Sequence, residues 1–392
     1  MSGTLLVTNL KDGASATTNL TFDTAGSATV GNNLTVTGTT AMASSFKRNR
    51  LINGNMLIDQ RNAGAQITAA NLTSTTYMVD RWVYFSSQAA KFTAQQNAGS
   101  VTTAAGFSNY LGMTVATAVA VGAGDLFNIG QSIEGFNFAD LAWGTSSAKT
   151  VTLSFVVYSS LTGTFGGVFR NSAVNRSYPF TYSIPAANTW TTISVTVAGD
   201  TSGTWVGATN GTGVQILFGL GVGSTYSGTA GAWASANYLS ATGAVSVVGT
   251  SGATFYLTGV QLEVGTKATP YEMQIYSDQL AQCQRYYTQL NAATNFTTWG
   301  TTLINSSSSV QGSVVRLPVS MRATPTMTYL NVRVYCPAGA AALITSVTGS
   351  YNSPESLGFD ASFSTSVMTA GQPGTIQANN TTSAYIAANA EL

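Results

Sequence analysis

The chain has 392 residues, of which 7% are charged against about 25% in an average soluble protein; 15 Lys+Arg and 14 Asp+Glu leave a formal charge of +1. That balance excludes electrostatic binding of nucleic acid or anionic lipid, which needs a basic excess. The absence of histidine excludes Ser-His-Asp and Cys-His catalysis, His-ligated zinc and a histidine pH switch.

Thr, Ser, Asn, Gln, Ala and 40 Gly carry the surface in place of charge. Thr and the aromatics favour strands, and Gly, Asn and Ser favour turns. A net charge near zero protects poorly against self-association, which suits an assembled protein. An all-β, assembled protein is therefore expected. Cys283 and Cys336 are too few for a zinc site or a disulfide framework, and whether they pair is left open by the sequence.

The start, MSGTLLVTNLKDG, has no basic region followed by a long apolar core, so no secretory signal is expected. The apolar runs Val115 to Val121 and Ile216 to Leu220 are too short to span a bilayer, and no membrane insertion is expected. Residues 1–45 form a thin segment in which Asn19-Leu20-Thr21-Phe22 recurs as Asn33-Leu34-Thr35-Val36. Such short strands cannot close a core and stack on neighbours. Ala41 to Ser45 reads as a linker.

Strands dominate residues 46–275. Val151, Leu153, Phe155 and Val157 alternate with polar or smaller residues, as do Ile193, Val195 and Val197, and then Val214, Ile216, Phe218, Leu220 and Val222. Phe255 and Leu257 lie in one phase and Val260, Leu262 and Val264 in the other, so Gly259 marks a β-bulge. The pattern predicts a jelly-roll β-sandwich. A connecting helix is predicted over 276–290, capped by Ser277 or Asp278, with Leu280, Cys283, Tyr287 and Leu290 as one apolar stripe. The stripe packs on the sandwich or builds a parallel bundle about an oligomer axis. Residues 291–392 are expected to form a small β domain. There Val315, Leu317, Val319 and Met321 alternate, with Pro318 marking an edge. Loops are expected from Ser350 to Gly374 around Phe359 and Phe363, and a final strand from Ala384 on.

Several segments carry a resemblance: Asn49 to Met56 (NRLINGNM) with Asp59-Gln60-Arg61, Tyr77 to Trp82 (YMVDRW), Tyr226 to Tyr238 (YSGTAGAWASANY), Phe255 to Gly265 (FYLTGVQLEVG) and Cys283 to Tyr287 (CQRYY). The set resembles tail-fibre and related virion structural proteins of tailed bacteriophages, including phages of marine bacteria and cyanobacteria. Their central jelly roll is similar to carbohydrate-binding modules. The resemblance is carried by residues 46–290, and GNNLTVTGTT is similar to the attachment segments of such proteins. It implies a homotrimeric virion appendage with its N-terminus toward the particle; in a fibre so anchored residues 291–392 are distal, and their Pro- and Gly-broken loops suit host contact. It further implies contact with other tail or head proteins through the N-terminal segment, and synthesis in a host cytoplasm.

Aromatic faces beside neutral amides and hydroxyls suit a sugar, so Trp143, Tyr226, Trp233 and Tyr238 are glycan-binding candidates, and so are Trp299, Tyr329, Tyr335 and Tyr351. Each has the alternative of plugging a core. Lys47, Arg48 and Arg50 form the one dense basic patch and, with Leu280, Cys283, Tyr287 and Leu290, are assembly candidates. Asp59 with Arg61, and Asp80 with Arg81, are expected as structural ion pairs. No cofactor or metal is expected, because calcium needs about six to eight oxygens and no Asp-rich loop is present. Three functions follow: a non-enzymatic tail fibre contributing to glycan recognition, an architectural head fibre or tail adaptor, or a polysaccharide-degrading tailspike. For the last, Glu134 with Asp140 and Glu263 with Glu272 are formally available as carboxylate pairs. The first is expected.

Overall fold

The computed structural model describes residues 9–10, 20–22, 28–30, 47–71, 76–337, 339–363 and 365–392. The chain divides into two compact units, residues 1–46 and 47–392. In the first, β1 (Asn9–Leu10), β2 (Leu20–Phe22) and β3 (Ala28–Val30) form an antiparallel sheet with β2 in the middle. The first copy of the Asn-Leu-Thr repeat thus supplies β2. The second copy and the linker at 41–45 lie outside the described residues.

The second unit opens with β4 (Ile67–Thr68), β5 (Thr76–Val79), β6 (Trp82–Ser86), β7 (Phe92–Gln96), β8 (Leu111–Val115) and β9 (Leu126–Glu134). It continues with β10 (Val151–Ser159), β11 (Gly163–Asn171), β12 (Ser177–Ile184), β13 (Thr191–Val197) and β14 (Thr212–Val222). After the short parallel pair β15 (Ser227–Gly228) and β16 (Ser240–Ala241), β17 (Thr254–Val264) closes the sandwich. The first sheet has the order β13-β10-β17-β8-β7-β4 and the second β12-β11-β14-β9-β6-β5, both antiparallel.

Alternation decides what lies between the sheets. Leu153, Phe155 and Val157 face Phe165, Phe169, Ile216 and Phe218 across one continuous core. Between the pairs Val156–Thr258 and Ser154–Gln261, β17 spends one residue more than β10, and Gly259 at φ +61° is the bulged position. This bulge turns Val260 and Leu262 back into the core.

The outer faces differ. Residues 223–249 roof the second sheet: Leu239 packs on Val168 and Leu217, and its carbonyl accepts the Asn128 Nδ2 at 2.9 Å. The outer face of the first sheet is open along β13, where Thr192, Ser194 and Thr196 are exposed, whereas Thr258, Gln261 and Glu263 on β17 are buried, Thr258 bonded to the Asn109 carbonyl and Gln261 and Glu263 to Thr269.

The helix α1 (Tyr276–Gln284) is shorter than expected. Its N-cap is Ile275, without a side-chain cap bond, so Ser277 and Asp278 lie inside the first turn rather than capping it. Tyr287 and Leu290 leave the helix for β18 (Tyr287–Asn291), because Tyr-Tyr-Thr is a strand-favouring run with a partner strand to join. The four-residue stripe therefore does not exist as a helical face. Cys283 is buried with Ile52, Ile58 and Tyr286, and Leu280 packs beside them, so the helix rests on its own sandwich.

The C-terminal strands are β19 (Thr298–Ser306), β20 (Ser309–Arg316), β21 (Thr326–Leu330), β22 (Val332–Tyr335), β23 (Ala341–Ser350), β24 (Ser356–Phe363), β25 (Pro373–Ala378) and β26 (Tyr385–Asn389). Six of them close a barrel, β19-β20-β24-β23-β22-β25, and β18-β26-β21 form a separate three-stranded sheet. Ile304, Val315, Val334, Phe359 and Ile376 fill the barrel. Two expectations are corrected. Ser350 to Gly374 is not loop throughout, since Leu357, Phe359, Ala361 and Phe363 point inward at period two along β24. Conversely the strand stops at Arg316, so Leu317, Pro318, Val319 and Met321 belong to the turn that follows.

Candidate functional site

The aromatic residues singled out in the sandwich mostly close its end. Trp143, Trp205 and Trp233 meet edge to face at 4.9, 5.1 and 5.4 Å between ring centroids. Their indole nitrogens are spoken for: Trp143 donates to the Lys149 carbonyl, Trp233 to the Ala198 carbonyl, both at 2.8 Å, and Trp205 to Asp200 Oδ2 at 3.1 Å. Trp143 is buried, and no ring face of it is offered to a ligand. Tyr226 packs half-buried under the roof with Leu217 and Leu239. Tyr238 is half-buried, its ring covering Gly228 so closely that a Cβ there would lie 2.2 Å from Cδ2.

A different set of rings comes together on the outer face of the first sheet. Tyr158 on β10 stands directly opposite Tyr256 on β17, and the two rings stack at 5.2 Å with 7° between planes. Tyr256 in turn stacks on Tyr110 at 5.1 Å. Trp190, just before β13, meets both Tyr110 and Tyr158 at 5.4 Å. Gly112 is the residue opposite Tyr256 on β8, and it makes room for the ring: a Cβ would sit 2.6 Å from Ala98 and 3.0 Å from Tyr256 Cδ1.

Tyr110 and Tyr256 are buried and form the floor, while Tyr158 and Trp190 remain half-exposed. The Tyr110 hydroxyl is fixed by donating to the Ala98 carbonyl at 2.6 Å and accepting from the Val101 amide at 2.9 Å. Trp190 Nε1 donates to the Thr102 carbonyl at 2.8 Å. Around these rings the outward positions are Ser154, Thr192, Ser194, Thr114, Thr93 and Gln95. Rigid rings bordered by neutral hydroxyls and amides offer apolar stacking together with hydrogen bonds, without charge. The sequence reading missed this set because its members come from four separate segments; the alternation placing Tyr158 and Tyr256 outward was its one visible signal.

In the barrel, Trp299 is half-buried between Ala292, Ala378 and Ala384 and the barrel core, and Tyr329 packs on that core. Tyr351 is 65% exposed, and its hydroxyl donates to Asp360 Oδ2 at 3.0 Å, which raises its pKa. Tyr335 faces outward beside Arg333.

The basic residues border a cleft of about 300 Å³ lined by Lys47, Asn49, Arg50, Gln274, Gln282 and Arg285 among others. Arg50 pairs with Asp140 at 2.8 Å, and Arg48 donates to the Pro270 carbonyl at 3.2 Å. Lys47 is exposed. Leu290 packs against the barrel core, and Tyr287 carries the Arg61 guanidinium over its ring at 3.6 Å.

The expected ion pairs of neighbours are replaced by long-range ones. Asp59 accepts from the Asn62 and Gly64 amides at 3.1 and 2.8 Å, closing its own loop. Asp80 is held by both the backbone and the side chain of Gln60, and burial pushes its carboxyl up to about 7. Arg61 and Arg81 both pair with Glu391. Asp59 and Arg61 lie in the loop ahead of β4, and Asp80 and Arg81 form the turn joining β5 to β6, with Arg81 at φ +72°, so it is these turns that aim both guanidinium groups at Glu391.

The carboxylate pairs are also separated by their duties. Glu134 takes two bonds from Arg285, at 2.6 and 3.0 Å, and one from the Tyr286 hydroxyl at 2.5 Å. Glu263 binds Gln261 and Thr269, and Glu272 the Asn49 amide. Cys283 and Cys336 are free, each in a different core.

No protein-family model and no curated protein matches the sequence. Among solved structures the chain is similar to the enzymatically active domain of tailspike protein 4 of bacteriophage CBA120, at 14% identity over 56% of this chain and 22% of that one, with a TM-score of 0.28. It is also similar to a putative sugar binding protein from Bacteroides thetaiotaomicron (12% identity, 55% of this chain and 100% of that one, TM-score 0.33). A third likeness is to a family 11 carbohydrate-binding module from Clostridium thermocellum (10% identity, 52% and 98%, TM-score 0.25).

Proposed function

We propose that this protein is a non-enzymatic virion appendage, a tail fibre of a bacteriophage, whose sandwich binds neutral glycan on the outer face of its first sheet. The observation that carries the binding reading is the half-exposed pair Tyr158 and Trp190 on their buried floor of Tyr110 and Tyr256. A stack anchored from beneath holds its rings without further ordering cost when a sugar arrives. The virion placement rests on the sequence resemblance over residues 46–290, and the homotrimer on the same resemblance and on a net charge near zero.

The test is binding of neutral oligosaccharides and of host cells by the intact protein and by the double variant Tyr158→Ala/Trp190→Ala. Loss of binding with the melting temperature held within a few degrees supports the reading. Unchanged adsorption by the double variant overturns it and leaves the architectural role. Release of oligosaccharide from host capsule would move the protein to the tailspikes, and a monomer by light scattering would remove the trimer.

A further inference from the structure

The barrel carries a guanidinium that lacks a counter-charge. On β22, Val332 and Val334 point into the barrel core, which turns Arg333 and Tyr335 outward. Arg333 Cζ lies 4.5 Å from the centroid of the Phe296 ring and 5.5 Å from that of Tyr335, so the cation is flanked by two aromatic groups. Its one hydrogen bond among the described residues runs from Nη2 to Gln377 Oε1 at 3.1 Å, from the residue opposite on β25. Nε is sheltered from solvent and has no acceptor. No carboxylate of the described residues comes within ion-pair reach.

A sheltered donor without a partner is costly unless something accepts from it. Arg50, Arg61, Arg81, Arg176 and Arg285 each find an acid, whereas Arg48, Arg170, Arg316, Arg322 and Arg333 do not; among the described residues Arg333 is the one of these five whose guanidinium lies over aromatic rings. Phe296 is 48% exposed beside it, and Thr375 and Thr298, opposite Tyr335 and Gln377, add hydroxyls on the same face.

We propose that this face of the barrel binds a carboxylate-bearing saccharide, a hexuronate or a sialic acid residue. The carboxylate accepts from Arg333 Nε and Nη2, the guanidinium edge whose parallel N–H groups match its two oxygens, while the second Nη2 hydrogen serves Gln377. The sugar ring stacks on Phe296 or Tyr335, and its hydroxyls meet Gln377 and the threonines. An acidic peptide fits less well: the barrel is closed, so no unpaired strand edge offers backbone bonds to an extended chain. The site lies on the barrel, away from the sandwich sheet that carries the neutral-glycan platform, and goes beyond that reading, so either stands without the other.

The experiment titrates the intact protein with oligogalacturonate, with its methyl ester, and with sialyllactose against lactose, at low and high salt. Binding of at least one acidic sugar is expected, falling tenfold or more on esterification or removal of the acid, and weakening with salt. Arg333→Gln should lose it, Phe296→Ala should weaken it, and Tyr158→Ala/Trp190→Ala should leave it unchanged. The melting temperature of Arg333→Gln guards against a folding effect, and Arg333→Lys, which keeps charge without the fork, should recover only part. The proposal is overturned by equal binding of acid and ester, by wild-type binding in Arg333→Gln, by binding of oligoglutamate as tight as that of the sugars, or by no acidic sugar binding at all.

Discussion

The Arg81 guanidinium lies 3.6 Å over the ring of Tyr286, and the same cation pairs with Glu391 and donates to the Ser132 carbonyl. A residue at the start of the sandwich is thus held from one side by the segment after α1 and from another by the segment after β26. Glu391→Gln leaves Arg81, with 1% of its side chain exposed, without its counter-charge. A loss of about 3–5 kcal/mol is expected for breaking a buried pair on one side. Denaturant melts of the variant, with Arg81→Met/Glu391→Leu as a partial rescue, check it.

Asp80 makes stability depend on pH in an unusual direction. Its carboxyl ionises at about 7 when folded against an ordinary value of 3.8. Between those values the folded protein keeps a proton that the unfolded chain has released. This contribution is therefore fully present at low pH, declines from about pH 4 to 7, and is lost above, by at most about 1.4 kcal/mol per pH unit. Asp80→Asn should flatten that part of the melting-temperature profile and leave the region above pH 8 as the most stabilised relative to wild type.

Gly259→Ala combines two penalties. Its φ of +61° costs a non-glycine residue about 1–2 kcal/mol, and the new Cβ would lie 2.5 Å from Phe107 Cζ. Gly252→Ala, at φ +75° with open space around it, has only the first. The difference between the two variants in chemical denaturation measures the contact; equal losses would show that Phe107 gives way freely.

The two thiols should be inert in the folded protein. Cys283 and Cys336 are buried, and burial pushes the Cys283 thiol well above its ordinary range. A thiol-reactive chromophore should report no fast-reacting group before denaturation and both after it, and reducing agent should leave the melting temperature unchanged.

Removal of residues 1–46 should leave a cooperatively melting protein. Among the described residues the cores begin at Leu51, and residues 1–46 form a compact unit of their own. Broad, non-cooperative melting of residues 47–392 would show that the first unit is needed for the fold.

Period-two alternation was legible wherever one strand face is polar: Ile193 to Val197 reads correctly, and the phase change at Gly259 marks the bulge. The stripe beyond Cys283 misled because Tyr287 and Leu290 fit helical spacing equally well, and only pairing with β26 decides for a strand. Strand β24 hid behind its flanking prolines. Charge partners were beyond reach for another reason: Arg81 and Glu391 are 310 residues apart, and nothing local records their meeting. The Tyr158–Tyr256 stack likewise depends on a register between strands roughly a hundred residues apart, and the small residue Gly112 signals it only once that register is known.

The return of Glu391 to Arg81 also bears on how such a chain can be recombined. The sandwich and the barrel have separate interiors, which invites exchange of one barrel for another to change what is recognised. Yet a grafted barrel lacking an acid at the position of Glu391 would strand two cations, Arg61 and Arg81, in the recipient. Compatible donors are thus restricted to those carrying the matching carboxylate, and a designed chimera should transfer residues 385–391 of the original together with its sandwich.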